Sequence, residues 1–354
     1  MTKKLSIRTF MFATICNFVI LSSLVVAINT LSRPAHTQSF AGKTVSIVNF
    51  APPGTPPDLW FRQLDPFIKK HLGVSKVVHI NKPGGGSVLA ANYIFNVLKP
   101  NGLQIGSIVA PGAAQSVRGK RKVKFDLSKM KLIGTQTITR IMVYREDSGI
   151  TNIQQLLKSE KPTLVGLSAP DTAYYKAFFR VLGVPAKIFE SYPRFRGRLQ
   201  ALRTGEINMM PFSHTFWIQR LKGWKKAKFY GVFQLGYMNN SGEVVRVKVA
   251  GLDKMMSGHD IVRKYRPNAV GGQDWKIMTA SAAGQGVTRQ IWSPPGMDDK
   301  YVTAWRKAFS AIMADPKYIE EHSKSWGVPV SWIPGDVGEG IVKKFLDLSR
   351  PGTK

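Results

Sequence analysis

VVHINKPGGGSVLAANYIFNVLKPNGLQIGSI, residues 77–108, decides the fold class. Val77, Val78 and Ile80 form a short apolar, β-branched run, which predicts a strand. Asn81-Lys82-Pro83-Gly84-Gly85-Gly86-Ser87 interrupts regular structure. Val88, Leu89, Ala91, Tyr93, Ile94 and Leu98 then recur at helical spacing. Pro100-Asn101-Gly102 turns the chain, and Leu103, Ile105 and Ile108 begin another strand. Strand, glycine loop, helix, turn and strand make a βαβ unit. Its loop offers backbone N–H groups at a helix N-terminus, where an anion can sit.

Similar units flank it. Upstream, 43–50 (KTVSIVNF) reads as a strand, the Pro- and Gly-rich 51–58 as its loop, and Leu59, Phe61, Leu64, Phe67 and Ile68 as a helix, with Asp58 or Thr55 as its N-cap and Gly73 as its stop. Downstream, strands are expected at 163–167, 186–189, 207–210 and 228–235, and helices at 173–182 and 199–203. A mixed strand region is expected from Trp275 to Ile291. Asp298 opens an amphipathic helix through Met313, Asp315-Pro316 starts another that Gly327 ends, and 341–348 is the last. Repeated units of this kind imply an α/β protein with mostly parallel sheets and ligand loops beyond the strand ends. The chain crosses between domains near 144–148. The expected division is 1–41 leader, 42–143 plus 286–354 as one discontinuous domain, and 144–285 as the other.

Composition narrows the setting. The 354 residues suffice for two domains with real cores. Lys3, Lys4 and Arg8 precede an apolar run from Phe10 to Ile28, and Ser39-Phe40-Ala41 offers small residues at −3 and −1 of a cleavage site. That pattern is a secretory signal peptide, although the run is also long enough for an uncleaved anchor. Cys16 is the single cysteine and lies in this run, so a chain cleaved after Ala41 has no disulfide, thiol nucleophile or Cys metal site. Lys+Arg 51 against Asp+Glu 21 gives +30, and losing Lys3, Lys4, Arg8 and Arg33 leaves +26. Export argues against nucleic acid as the partner. The excess reads as a solvated basic surface or as steering of acidic ligands.

Most chemistries fail on motif. The six histidines form neither H-E-x-x-H nor any pair at ligand spacing, so no metal is expected. The glycine loop lacks the Lys of a P-loop, and Leu89 stands where a dinucleotide motif needs its third glycine. No cofactor is expected. Gly166-Leu167-Ser168-Ala169-Pro170 begins like a nucleophile elbow, but Pro170 replaces the final glycine. An exported serine hydrolase using Ser168, with His214 or His259 as base, is the alternative. A basic scaffold for anionic polymers is a third.

Five segments in order resemble the periplasmic solute receptors of tripartite tricarboxylate transporters, the Bug family: NFAPPGTPPDLWFRQL (49–64), NKPGGGSVLAANYI (81–94), KPNGLQIGSI (99–108), SYPRFRGRLQALRTGEINMM (191–210) and SPPGMDDKYVTAWRKAFSAIMADPKY (293–318). The resemblance implies a two-domain type II periplasmic-binding-protein-like fold. It further implies a monomeric, non-enzymatic receptor that captures a small carboxylate between its domains and delivers it to integral membrane transporter subunits. It places Phe50, Pro53, Gly54, Thr55 and Asp58 at the first ligand loop, Gly84, Gly85, Gly86 and Ser87 at the second, and Ala110 after the third strand. The opposing loops would be Ser168, Ala169, Asp171 and Thr172, then Tyr192, Arg196 and Gly197, with Ser213 after the last cleft strand. Two departures stand out. Pro56-Pro57 stiffens the first loop where relatives carry a glycine pair, and Arg194, Arg196 and Arg198 crowd a loop that is less basic in the family.

Overall fold

The computed structural model describes residues 40–119, 121–167, 172–190, 192, 195–239 and 241–350. The chain opens with β1 (Thr44–Asn49), whose inward Val45, Ile47 and Val48 are fully buried. Helix α1 (Pro56–Gln63) starts on two prolines, residues that lose nothing at a position whose N–H has no helical partner. It continues into α2 (Asp65–Leu72), stopped by left-handed Gly73. Then come β2 (Lys76–Asn81), the glycine loop, α3 (Val88–Asn96), β3 (Gln104–Val109), the short α4 (Ala110–Gln115) and β4 (Leu132–Gln136). β1 pairs parallel with both β2 and β3.

The chain leaves this sheet through 137–139 and enters a second sheet as β5 (Arg140–Arg145). There follow α5 (Ile153–Leu157), β6 (Thr163–Gly166), α6 (Thr172–Leu182), β7 (Ala186–Phe189), α7 (Phe195–Thr204), β8 (Met209–Ser213), α8 (His214–Gln219), α9 (Leu221–Lys226) and β9 (Phe229–Gln234). The sheet order is β7-β6-β8-β5-β9. A two-residue ladder, β10 (Tyr237–Met238) with β11 (Val244–Val245), precedes α10 (Gly258–Tyr265) and α11 (Gln273–Gly286). The chain then returns as β12 (Arg289–Trp292), followed by α12 (Asp299–Ala314), α13 (Pro316–Trp326), β13 (Ile333–Pro334) and α14 (Gly335–Leu348). The first sheet is ordered β13-β4-β12-β3-β1-β2.

Both sheets are mixed, where the sequence implied mostly parallel ones. The reason is topological. The chain leaves the first sheet at the carboxyl ends of its parallel strands and enters the second at the corresponding ends, so β5 must run against β8. β12 comes back the same way and lies antiparallel between β3 and β4. The change of sheet falls between Gln136 and Arg140, ahead of the expected 144–148, because β5 is a buried central strand of the second sheet.

The expected strand region after Trp275 is instead α11. Its sequence, QDWKIMTASAAGQG, has no clear apolar stripe because the helix is buried from two sides. Met278 and Ala282 join the core of the second sheet, and Ala283 joins that of the first. Small residues allow the approach: a Cβ on Gly286 would lie 2.5 Å from the Met238 carbonyl.

Each sheet is covered on both faces. On the first, Val48, Ile94, Ile108 and Phe345 pack on one side, and Ile47, Trp60, Ile105, Trp305 and Phe309 on the other. The second buries Tyr144, Val165, Phe178 and Phe233 against α6, and Val143, Phe212, Trp217 and Trp224 opposite. The expected leader lies outside the described residues up to Ser39. Phe40 does not: its ring is fully buried, edge-on to Tyr301 and Trp305 at 5.9 and 5.8 Å. Cleavage after Ala41 would strip this ring from the core. Among the described residues no helix is long and apolar enough to cross a membrane.

Candidate functional site

The carboxyl ends of β1–β3 and of β6–β8 both lie where the chain crosses between sheets. The crossing strands are tied side by side. Ile138 donates its N–H to the Gln285 carbonyl at 3.2 Å, Thr137 Oγ1 donates to the Gly286 carbonyl at 3.0 Å and Thr288 Oγ1 to that of Ile138 at 3.0 Å.

In the glycine loop, four consecutive residues have positive φ: Gly84 at 138°, Gly85 at 58°, Gly86 at 63° and Ser87 at 80°. Ser87 bears this conformation with a side chain, a cost its surroundings must offset. Its hydroxyl is buried and accepts the Val109 N–H at 3.1 Å. Gly112 closes over the loop so tightly that a Cβ there would sit 2.0 Å from Ser87 Oγ and 2.5 Å from the Gly86 carbonyl. Gly84, Gly85 and Gly86 are exposed. The N–H groups of Gly85 and Gly86 meet no acceptor among the described residues.

The first loop is organised by Asp58. This carboxylate, 0% exposed, accepts from Asn49 Nδ2 at 3.0 Å, Asn81 Nδ2 at 2.7 Å, the Gly54 N–H at 2.9 Å and Arg62 Nε at 2.8 Å. Burial opposes its ionisation, but the Arg62, Asn81 and Gly54 hydrogen bonds outweigh it and hold the carboxyl down to about 2. Asp58 thus ties the ends of β1 and β2 to the start of α1, and its oxygens are already engaged. Thr55 precedes α1 without capping it; its hydroxyl donates to the Pro52 carbonyl at 2.7 Å. Phe50 is half-buried, and Pro53 and Gly54 are exposed. Ala110 is buried, and its N–H donates to the Thr288 carbonyl at 3.1 Å.

On the opposite side, Ser168, Ala169, Asp171 and Arg194 lie outside the described residues. Thr172 opens α6 with a buried hydroxyl that has no partner among the described residues. The Tyr192 hydroxyl donates to Glu206 Oε1 at 2.5 Å; burial and that carboxylate push it up to about 12. Arg196 and Gly197 stand exposed in the first turn of α7, where a loop was expected. Arg198 Nη1 donates to the Tyr192 carbonyl at 3.4 Å. Ser213 caps α8 by accepting the Phe216 N–H at 3.3 Å. Of the imidazoles considered as bases, His214 Nδ1 accepts from the Thr139 N–H at 3.3 Å and His259 Nε2 meets Thr279 Oγ1 at 3.1 Å. Neither pairs with a carboxylate among the described residues, and no group of three His, Cys, Asp or Glu suited to a metal occurs among them.

Sequence reading missed Asn49, Asn81 and Arg62, although a polar Asn ending each of two apolar strands was a signal. It also missed Arg289. That guanidinium, 8% exposed, donates to Gln136 Oε1 at 2.5 Å and lies 4.7 Å from the centroid of the Trp60 ring. Desolvation pushes it down to about 10, and no acid among the described residues pairs with it. A cavity of about 660 Å³ opens beside the crossover, lined in part by Thr137, His214, Tyr237, Lys248 and Trp332; no glycine-loop residue lines it.

Two mixed α/β sheets, joined by adjacent crossing strands at the carboxyl ends of their parallel strands, define the two-domain periplasmic binding-protein fold. Solved structures share this fold. A TctC solute-binding protein from Polaromonas superposes with a TM-score of 0.64 at 14% identity, covering 87% of this chain and 96% of that one. The periplasmic binding protein BugD gives 0.58 at 18% identity, covering 88% and 96%. A Rhodopseudomonas palustris protein with adipate gives 0.58 at 14%, covering 86% and 94%. No protein-family model and no curated protein matches the sequence. The chain has the fold of the tripartite tricarboxylate transporter solute-binding proteins.

Proposed function

We propose that this protein is a periplasmic receptor that captures a small organic acid between its two sheets and hands it to the membrane subunits of a tripartite tricarboxylate-type transporter. The observation that carries the reading is the glycine loop. The N–H groups of Gly85 and Gly86 meet no acceptor among the described residues, and they lie at the strand ends where the chain crosses between sheets. Backbone donors fixed in this way suit a carboxylate without any cationic side chain. Solved neighbours carry malate in one case and adipate in another, which supports the ligand class. Asp58, Ser87 and Gly112 would shape the loops, and the exposed Gly54, Gly85 and Gly86 would meet the ligand. Monomeric action and export through a leader belong to the same reading.

Thermal unfolding with malate, adipate and the neutral diamide of adipate tests it. A ligand at about one hundred times its dissociation constant stabilises the fold by about 2.7 kcal/mol. A clear rise with a dicarboxylate and none with the diamide is expected. No rise with any carboxylate would refute the reading.

A further inference from the structure

Neither the glycine loop nor the Asp58 network accounts for Arg289. It opens β12, between Val109 of β3 and Gln136 of β4. Its guanidinium lies over Trp60 of α1, on the face of the first sheet where Tyr318 of α13 also packs. One nitrogen donates to Gln136 Oε1, but Nε is buried with no hydrogen-bond partner among the described residues. His322 Nε2, also on α13, is buried and without a partner in the same way. Its Nδ1 meets the Tyr318 hydroxyl at 3.3 Å, and the Arg289 charge acts on both Tyr318 and His322. The buried acids of the covering helices are committed elsewhere. Asp58 already has its four donors, and Asp315 accepts Lys70 Nζ at 2.7 Å and meets His71 Nε2 at 3.0 Å. The Trp60 ring offsets only part of the cost of burying a cation. Buried donors left in this state mark an ion or water that the chain does not itself supply. Water would satisfy the N–H groups but leave the charge; an anion answers both. A guanidinium is weakly hydrated, which suits it to meeting an anion away from solvent.

We propose that Arg289 holds a monatomic anion, chloride, between the first sheet and α13, with the Arg289 Nε–H and the His322 Nε2–H as donors. The second donor requires the tautomer in which His322 Nδ1 accepts from the Tyr318 hydroxyl. Arg289 lines neither the cavity of about 660 Å³ nor a second one of about 410 Å³, so the ligand class is a single ion rather than an organic acid. The site is separate from Gly85 and Gly86. Helix α3, which follows the glycine loop, packs on the opposite face of the sheet from Trp60 and Tyr318. An ion held there by the fold and not by the unfolded chain ties β12 to α13 and stabilises the protein by mass action.

Thermal unfolding of the purified protein at constant ionic strength, with chloride replacing fluoride, tests it. Fluoride is the more strongly hydrated ion and stabilises more by general exclusion, so a rise with chloride marks a site. The wild-type midpoint should rise by about 2 °C for each tenfold increase in chloride above its dissociation constant. Arg289→Met, which replaces a buried charge by an apolar chain of similar length, should lose that response. Crystals grown in bromide should show an anomalous peak in contact with Arg289 Nε, and this measurement decides if Arg289→Met does not fold. A midpoint that does not rise with chloride, a rise that Arg289→Met retains, or bromide found only at the exposed surface (an adventitious ion only) would each overturn the site. No carboxylate enters the assay, so the receptor reading stands or falls separately.

Discussion

Asp58→Ala should cost about 2–5 kcal/mol of folding stability. The carboxylate is buried and accepts four hydrogen bonds. Removing it orphans Asn49 Nδ2, while Asn49 Oδ1 still accepts the Ala51 N–H. Asn81 Nδ2 keeps its 2.8 Å bond to the Ala51 carbonyl, so it loses half its partners. Gly54 is exposed, and water replaces much of its loss. The Arg62 pair adds little because that side chain is 44% exposed. One buried orphan costs about 1–3 kcal/mol, and the half-satisfied amide and the Gly54 N–H together add about 1–2. Asp58→Asn keeps the volume but turns one acceptor into a donor facing donors, and should cost about 2 kcal/mol. Urea unfolding followed by tryptophan fluorescence reads both, since Trp60 lies two residues along α1. A double-mutant cycle with Asn49→Ala should show about 1 kcal/mol of coupling or more. A loss below about 1 kcal/mol for Asp58→Ala, or additivity in the cycle, would refute the view that this residue braces the loop.

Three further outcomes are expected. A chain starting at Gly42, or Phe40→Ala, should lose about 3–5 kcal/mol relative to one that keeps Phe40, as for deletion of any large buried aromatic; equal midpoints in urea would show that the ring contributes nothing. Gly112→Ala should destabilise by about 1–3 kcal/mol and disturb the glycine loop, because its methyl group meets backbone at the Gly86 carbonyl; wild-type stability would mean that the loop yields freely. Burial pushes His214 down to about 4, His259 to about 3 and His322 to about 4, so each stays neutral in the fold while the unfolded chain protonates near 6.5. Their stabilisation is complete above pH 6.5 and is lost as pH falls toward 4, at up to about 1.4 kcal/mol per pH unit for each. Stability that is flat between pH 6.5 and 4.5 would contradict this.

Local rules carried much of the fold. β-branched runs marked β1, β2 and β3, Gly73 and Gly327 marked helix ends, and Asp298 and Asp315 were legible as caps, each accepting a backbone N–H two residues on. Where an element's partners lie on two sides, those rules failed. α11 shows no stripe because it packs into both cores at once. β5 looked like the end of the first domain because nothing in RIMVYR says which sheet it joins. The glycine loop was visible as glycines between strand and helix, but not its lock: Ser87 on Val109 and Gly112 over both join residues from separate elements.

By itself, the sequence determined the βα units, the glycine loop between β2 and α3, the lack of nucleotide and metal motifs, and the basic charge. These follow from spacing and residue type within a few turns of chain. Only the tertiary structure decided that Asp58 is saturated by Asn49 and Asn81, that His214 and Lys248 share a cavity with 328–333, and that Arg289 is buried over Trp60 with no acid pairing with it among the described residues. Such facts depend on which distant groups reach the same few ångströms. Hydrogen-bond satisfaction and burial are properties of that meeting, not of any one segment.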